Sequence, residues 1–350
     1  MNMKRYAIGL ALLMVFGLPL TVLVKAQTKS TGSPKNKPAQ AANYKLSGPF
    51  VHKNLTVFLI HGKDLIKGKT ILTLQEAMER KIVIVHETKS VNELAIENVS
   101  KSLEVFVQSG DIVKGGQQDR VLAVDLIVPA RSGKILIAAF CVESGRWSKR
   151  GGEESSQFTG SSDRIATREL KIAANGTKSQ SEVWEKVAEA QDKLSQNVGG
   201  SVNSAQSESS LQLSLENKKV KESSNAYITK LSQIVDGQSD VIGYAFAING
   251  KVNSADVYAS SALFKKLWPK LLKATAVEAV ADLTSDKTIT PVSQQQVNTF
   301  FASAEKGKAS ENTVNNRTKV VTRESDQNLF LESRDTKDDS GWIHRSYVMK

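Results

Sequence analysis

One cysteine, Cys141, stands among 350 residues, so no intrachain disulfide can form and stability has to come from packing. Histidine is almost as scarce. His52, His61, His86 and His344 are the four, no two of them at metal-ligand spacing, and each reads as a surface or packing residue. No metal site and no cofactor is expected. A phosphate-cradling P-loop is missing, because Gly115-Gly116 is followed by Gln117-Gln118 where Lys-Ser/Thr would be needed. A Gly-x-Ser-x-Gly nucleophile elbow is missing too. There is no internal repeat, and only one run, Tyr6 to Val24, is long and apolar enough to cross a bilayer.

That run is what is most distinctive at the N-terminus. Lys4 and Arg5 precede it, Gly17 and Pro19 interrupt it, and Val24-Lys25-Ala26 supplies a cleavage-like site before Gln27. The expectation is a signal peptide over 1–26 and a secreted or periplasmic protein; the alternative is an uncleaved N-terminal membrane anchor on an extracytoplasmic protein. Residues 27–43, rich in Ser, Pro, Lys and Ala, read as a disordered linker. The net charge of +11 is concentrated there: Lys4, Arg5, Lys25, Lys29, Lys35 and Lys37 account for six, leaving +5 for residues 44–350. That remainder is too diffuse for a nucleic-acid surface, and no nucleic-acid partner is expected.

From Tyr44 onward the patterning implies a single α+β domain, β-rich over 44–145, helix-rich over 160–290 and closed by strands over 314–348. Leu55 to Ile60, Ile82 to Val85, Glu93 to Asn98, Leu103 to Gln108, Arg120 to Val128 and Lys134 to Val142 read as strands separated by Asn, Ser, Gly or Pro. In the last of these both faces are apolar, which predicts a strand buried in mid-sheet. Thr73-Leu-Gln-Glu76 and Ser179-Gln-Ser-Glu182 have capping-box spacing, and Val183, Val187, Ala190 and Leu194 recur at helical period. Residues 197–225 read as loop with weak helix. Asn249-Gly250 between two apolar runs predicts a tight hairpin. Leu263, Phe264, Leu267, Leu271 and Leu272 mark a helix kinked at Pro269, with Lys265, Lys266, Lys270 and Lys273 as its solvated face. The sheet is expected to be antiparallel and sandwich-like, built mainly by 44–145 and packed against helices from the second half. The late hairpin and the last strands would extend or cover it.

Two segments carry candidate chemistry. In Gly115-Gly-Gln-Gln-Asp-Arg120 the glycines let backbone N–H groups converge, with Gln117, Asp119 and Arg120 as added donors and acceptors. The competing reading is a hairpin that satisfies its own backbone. In Cys141-Val-Glu-Ser-Gly-Arg-Trp147, Glu143 emerges at the end of an apolar strand, where desolvation suits acid/base work. Arg146 would hold that carboxylate or a ligand anion, and Trp147 would stack on a ring. A structural Glu143–Arg146 pair with Trp147 closing the core is the alternative. Cys141 has no activating His and reads as a core thiol.

These two strings, together with Leu55-Thr-Val-Phe, Thr73 to Ala77, Arg168, Val183-Trp184, Asn249-Gly250 and Leu267-Trp268, resemble the ADP-ribosylglycohydrolase-and-rhodanese-phosphatase-associated protein domain family. The resemblance runs from about Tyr44 to the Asp282 region. The family takes its name from genomic company and carries no established reaction; the resemblance implies a nucleotide-derived ligand at Gln117, Asp119, Arg120, Glu143, Arg146 and Trp147. Two functions follow as expectations. One is an exported domain binding a small anionic, sugar-like or nucleotide-like ligand, with Gln117, Asp119, Arg120 and Trp147 in contact. The other is a hydrolase of nucleotide- or ADP-ribose-derived substrates, with Glu143 as general acid or base and Arg146 assisting.

Overall fold

Lys45–His52 (β1) and Leu55–His61 (β2) pair antiparallel. Every residue of β2 is buried: Leu55, Val57 and Leu59 enter one core, Phe58 and Ile60 another. A strand covered on both faces is a central strand and needs a neighbour on each edge. The second neighbour comes from far along the chain. The computed structural model describes residues 44–350 except 67, 154, 285–288 and 338–340. The expected signal peptide and linker lie outside the described residues.

Ile71–Thr73 (β3) leads into the helix Leu74–Glu79 (α1) through the anticipated capping box, with N–H to side-chain bonds of 3.2 and 2.9 Å between Thr73 and Glu76. Then follow Val83–Ser90 (β4), Glu93–Asn98 (β5), Glu104–Val107 (β6), Asp111–Gly115 (β7), Arg120–Leu122 (β8), Leu126–Val128 (β9), Lys134–Cys141 (β10) and Phe158–Arg164 (β11). They form a six-stranded sheet in the order β11-β7-β8-β10-β5-β4 and a three-stranded sheet β3-β6-β9. The single strand expected over Arg120 to Val128 is therefore two strands in two sheets, with Asp125 in the break. The mid-sheet position of β10 is as expected, but its cover is not: Leu136 is 58% exposed and Ala138 is exposed as well. The strand changes partner midway, from β5 to β8, and only its last three residues are buried in succession.

Helices Arg168–Ile172 (α2), Gln180–Asn197 (α3), Leu211–Leu215 (α4) and Lys218–Leu231 (α5) occupy the middle of the chain, so much of 197–225 is better ordered than its serines suggest. Asn217 caps α5 and Val220, Tyr227 and Leu231 anchor it in the core. Val241–Ile248 (β12) and Lys251–Tyr258 (β13) form the hairpin, with positive φ at both Asn249 and Gly250. Helix Ser261–Ala281 (α6) is 21 residues long and continues through Pro269. Gln294–Ala304 (α7), Lys308–Thr313 (β14), Thr318–Glu324 (β15), Asn328–Asp335 (β16) and His344–Met349 (β17) complete the chain.

The largest sheet has the order β1-β2-β12-β13-β17-β16-β15-β14. Only two of its strands come from 44–145, which corrects the expectation that this segment builds the main sheet. The late hairpin is central, wedged between β2 and β17, because β2 and β12 bury both faces and can only pair in mid-sheet. Helices α3, α5 and α6 cover one face and α7 the other. The architecture is α+β, antiparallel sheets packed against helices.

The lysine face of α6 is not simply solvated. Lys270 is buried on Asp111 at 2.8 Å, Lys273 meets Asp163 at 2.6 Å and Lys266 meets Glu76 at 3.1 Å, so the helix is riveted to the smaller sheets by carboxylates. Lys265 is exposed. Among the described residues no helix is long and apolar enough to cross a membrane.

Tight packing at the centre makes one substitution diagnostic. A Cβ on Gly243 of β12 would stand 2.3 Å from the Asp256 carbonyl oxygen of β13. Gly243→Ala is expected to lower stability by about 1–3 kcal/mol, the usual penalty of overpacking, as read by the urea midpoint.

Candidate functional site

The two motif segments meet because β8 and β10 are paired, with Cys141 opposite Arg120 and Phe140 opposite Val121. Just beyond that register Asp119 and Glu143 come together, the Asp119 N–H donating to Glu143 Oε2 at 3.3 Å. The Gln118 side chain clamps the same turn, donating to the Glu143 carbonyl at 2.7 Å.

Around this pair lies a closed ion network. Arg146 Nη2 is 2.6 Å from Glu143 Oε2, and Arg150 Nη1 is 3.0 Å from Asp119 and 3.5 Å from Glu143 Oε1. Arg150 also meets Glu153 at 2.8 Å. Arg120 lies 3.7 Å from Glu87 and donates to the Gln118 carbonyl at 3.1 Å. Asp119, Arg120 and Glu143 are fully buried. Burial pushes the Asp119 carboxyl up despite Arg150. Burial also acts upward on Glu143, but hydrogen bonds from Arg146 and Ser207 outweigh it and hold that carboxyl below its ordinary range. Four carboxyl groups thus face three guanidinium groups, and the cations are matched within the protein.

The glycine turn does likewise. The N–H of Gly115 donates to Asp119 Oδ1 at 3.0 Å and that of Gln117 to Glu87 Oε2 at 3.1 Å. Gly116 takes φ +59° against Phe158 and Glu87, where a Cβ would lie 2.3 Å from the Phe158 ring. The turn's N–H groups are thus taken up by Asp119 within the loop and by Glu87 of β4, and Gln117 is only half-buried at its edge. Cys141 is buried with its thiol pushed up to about 11 by burial, as befits a core thiol.

What reaches solvent is the layer above. An open groove is lined by Arg146, Trp147, Lys149, Arg150, Ser207 and Ser209. Trp147 does not close the core: it is 47% exposed, and the Arg120 guanidinium lies 5.4 Å from its ring centroid. Arg120 Nε and Nη2 have no hydrogen-bond partner, so beside its Glu87 and Gln118 contacts the guanidinium can also face the ring. Arg150 and the 206–209 wall escaped the sequence reading. The only local signal was an arginine four residues after Arg146; the wall arrives from a separate loop.

A second concentration of buried charge was also missed. His344, read as a surface or packing residue, is enclosed between Asp125 at 2.7 Å and Asp256 at 3.1 Å and stacks on Tyr258 with ring centroids 4.6 Å apart. Burial alone would lower the imidazole, but the two carboxylates raise it to about 9. Asp256 is driven the other way, to about 2, His344 prevailing over burial. His344 and Asp256 from separate strands and Asp125 from the break between β8 and β9 make this site, so no local motif announces it. No grouping of three or more His, Cys, Asp or Glu side chains among the described residues is arranged to hold a metal ion.

Residues 43–348 match the profile of the ARG and Rhodanese-Phosphatase-superfamily-associated Protein domain. No curated protein and no solved structure shows significant similarity to the chain.

Proposed function

The chain belongs to the ARG and Rhodanese-Phosphatase-superfamily-associated Protein domain family, and on that footing we propose that it is an exported binding domain that holds a sugar- or nucleoside-like ring against Trp147 without turning it over. Export rests on Lys4-Arg5, the uncharged Tyr6 to Val24 run and the Val24-Lys25-Ala26 site. The observation that carries the binding reading is the exposed Trp147 ring, braced by Arg120 at the rim of a polar groove. An indole fixed by a cation on one side offers a flat, low-entropy platform for a second ring. Ser207, Ser209 and Lys149 stand around it as hydrogen-bonding groups. Because Arg120, Arg146 and Arg150 already face Glu87, Asp119, Glu143 and Glu153, a neutral ring suits the groove better than a free anion.

The hydrolase reading has less support. A general acid must hold a proton near neutral pH, whereas Glu143 is kept ionised; a general base must reach its substrate, whereas Glu143 is enclosed and bonded to Arg146. Titration calorimetry of the mature protein with AMP, ADP-ribose and a neutral disaccharide tests the proposal. At least one should bind, and Trp147→Ala should weaken it by about 1–3 kcal/mol, the range for loss of a stacked ring. Equal affinity in wild type and Trp147→Ala would refute the stacking role.

A further inference from the structure

The large sheet changes character across its width. One row of residues, aligned by the strand register, reads Leu59, Tyr244, Asp256, Ser346, Leu331, Thr322 from β2 to β15. Over β2 and β12 this face is apolar and packs on helices. Over β13, β17 and β15 the row presents Asp256, Ser346 and Thr322, with Leu331 of β16 among them, although other elements cover it, and burying polar groups is costly unless something pairs with them. Here they line a cavity of about 60 Å3, closed from above by Ser109, Asp125, Arg164 and Lys171. One water needs roughly 10–15 Å3 of such space, so the cavity has room for about four waters or a five-atom oxyanion.

Its charges are unequally used. Asp125 and Asp256 are both committed to His344. Arg164 is different: it is 7% exposed, and among the described residues Asp256 and Asp111 act on its charge without an ion-pair contact. Its Nη2 donates to the Ser109 carbonyl at 2.7 Å, while Nε has no hydrogen-bond partner. A buried guanidinium with an unpartnered Nε, bordering a cavity whose largely apolar wall carries a few polar groups, matches the planar recognition of phosphate and carboxylate oxygens. Lys171 and the exposed Lys178 border the same space, and Ser346 and Thr322 offer hydroxyls across it.

We propose that this cavity is a binding site for a compact oxyanion, a phosphate or a small carboxylate, gripped by Arg164 and steered in past Lys178. It is separate from the Trp147 groove and does not depend on ring binding there.

The test is thermal melting and calorimetry of the mature protein with sodium phosphate, sulfate and acetate at constant ionic strength. A saturable rise in Tm is expected. Phosphate and sulfate acting without acetate identifies a tetrahedral anion, and acetate acting alone a carboxylate. Arg164→Gln should weaken binding about ten- to a hundredfold, as expected for charge-assisted hydrogen bonds. Since Arg164→Gln risks unfolding, Ser346→Leu provides a second route: it fills the cavity without touching a charge and should abolish the response. Trp147→Ala should leave it intact, so that failure of the ring-binding reading and failure of this one are distinguishable. The proposal is overturned by no response to any of the three anions, by an undiminished response in Ser346→Leu, or by stabilisation from magnesium or calcium in place of the anions.

Discussion

Replacing His344 with glutamine removes about 3–5 kcal/mol of stability, the cost expected when one partner of a buried ion pair is deleted. The reason is local. His344 is enclosed between Asp125 and Asp256, and without its charge two buried carboxylates confront each other with only Arg164 and Lys171 further off. The same site predicts the pH profile. The folded-state value of His344 is raised from 6.5 to about 9, so the folded protein binds this proton more tightly than the unfolded chain. Its stabilisation is complete below 6.5 and is lost as pH climbs through about 9, amounting to about 3 kcal/mol. Asp256, lowered from 3.8 to about 2, describes the acid limb of the same pair: its contribution is present above 3.8 and disappears as pH falls through about 2. Urea midpoints measured from pH 5 to 10 should fall over the alkaline half in wild type and lie much flatter in His344→Gln. A flat wild-type profile would contradict the assignment.

Glu143→Gln is expected to cost about 3 kcal/mol, near the lower end for breaking a buried pair, because Arg146 and Arg150 retain some access to water. Glutamine keeps the shape and can still accept the Asp119 N–H, so the loss isolates the charge. Two guanidinium groups then share Asp119 and Glu153 alone. Addition of salt should not rescue the variant, since ionic screening acts weakly on buried groups.

How much of this was legible in the chain divides along physical lines. Local signals were reliable: the Thr73–Glu76 capping box, the Asn249-Gly250 turn and the helix at Val183 to Leu194 are set by neighbours a few residues apart. The adjacency of Asp119, Arg120 and Glu143 also followed, since it needs only one hairpin-like pairing of two strands. Long-range pairing was not available to such reasoning. Nothing near Leu55 to His61 states that its second partner begins at Val241, and so the central sheet was assigned to the wrong stretch of chain. Helix α7 was missed although Ser293 and Gln296 carry the capping-box pattern. Exposure was hardest to foresee: Trp147 faces out and Glu143 in, because Arg120 fills the space beneath the indole. The His344 site draws on two strands and the Asp125 break, and only the fold brings them together.

The account turns on Glu143 being a buried structural carboxylate, paired with Arg146 and Arg150, and not a catalytic one. Its most direct test is the affinity of Glu143→Gln for whichever ring compound the wild type binds, measured where the variant remains folded, with product formation followed in parallel. The expected outcome is an affinity changed by less than about threefold, under 1 kcal/mol, and no turnover in either protein. Turnover by the wild type that vanishes in folded Glu143→Gln would show the carboxylate to be catalytic and the account to be wrong.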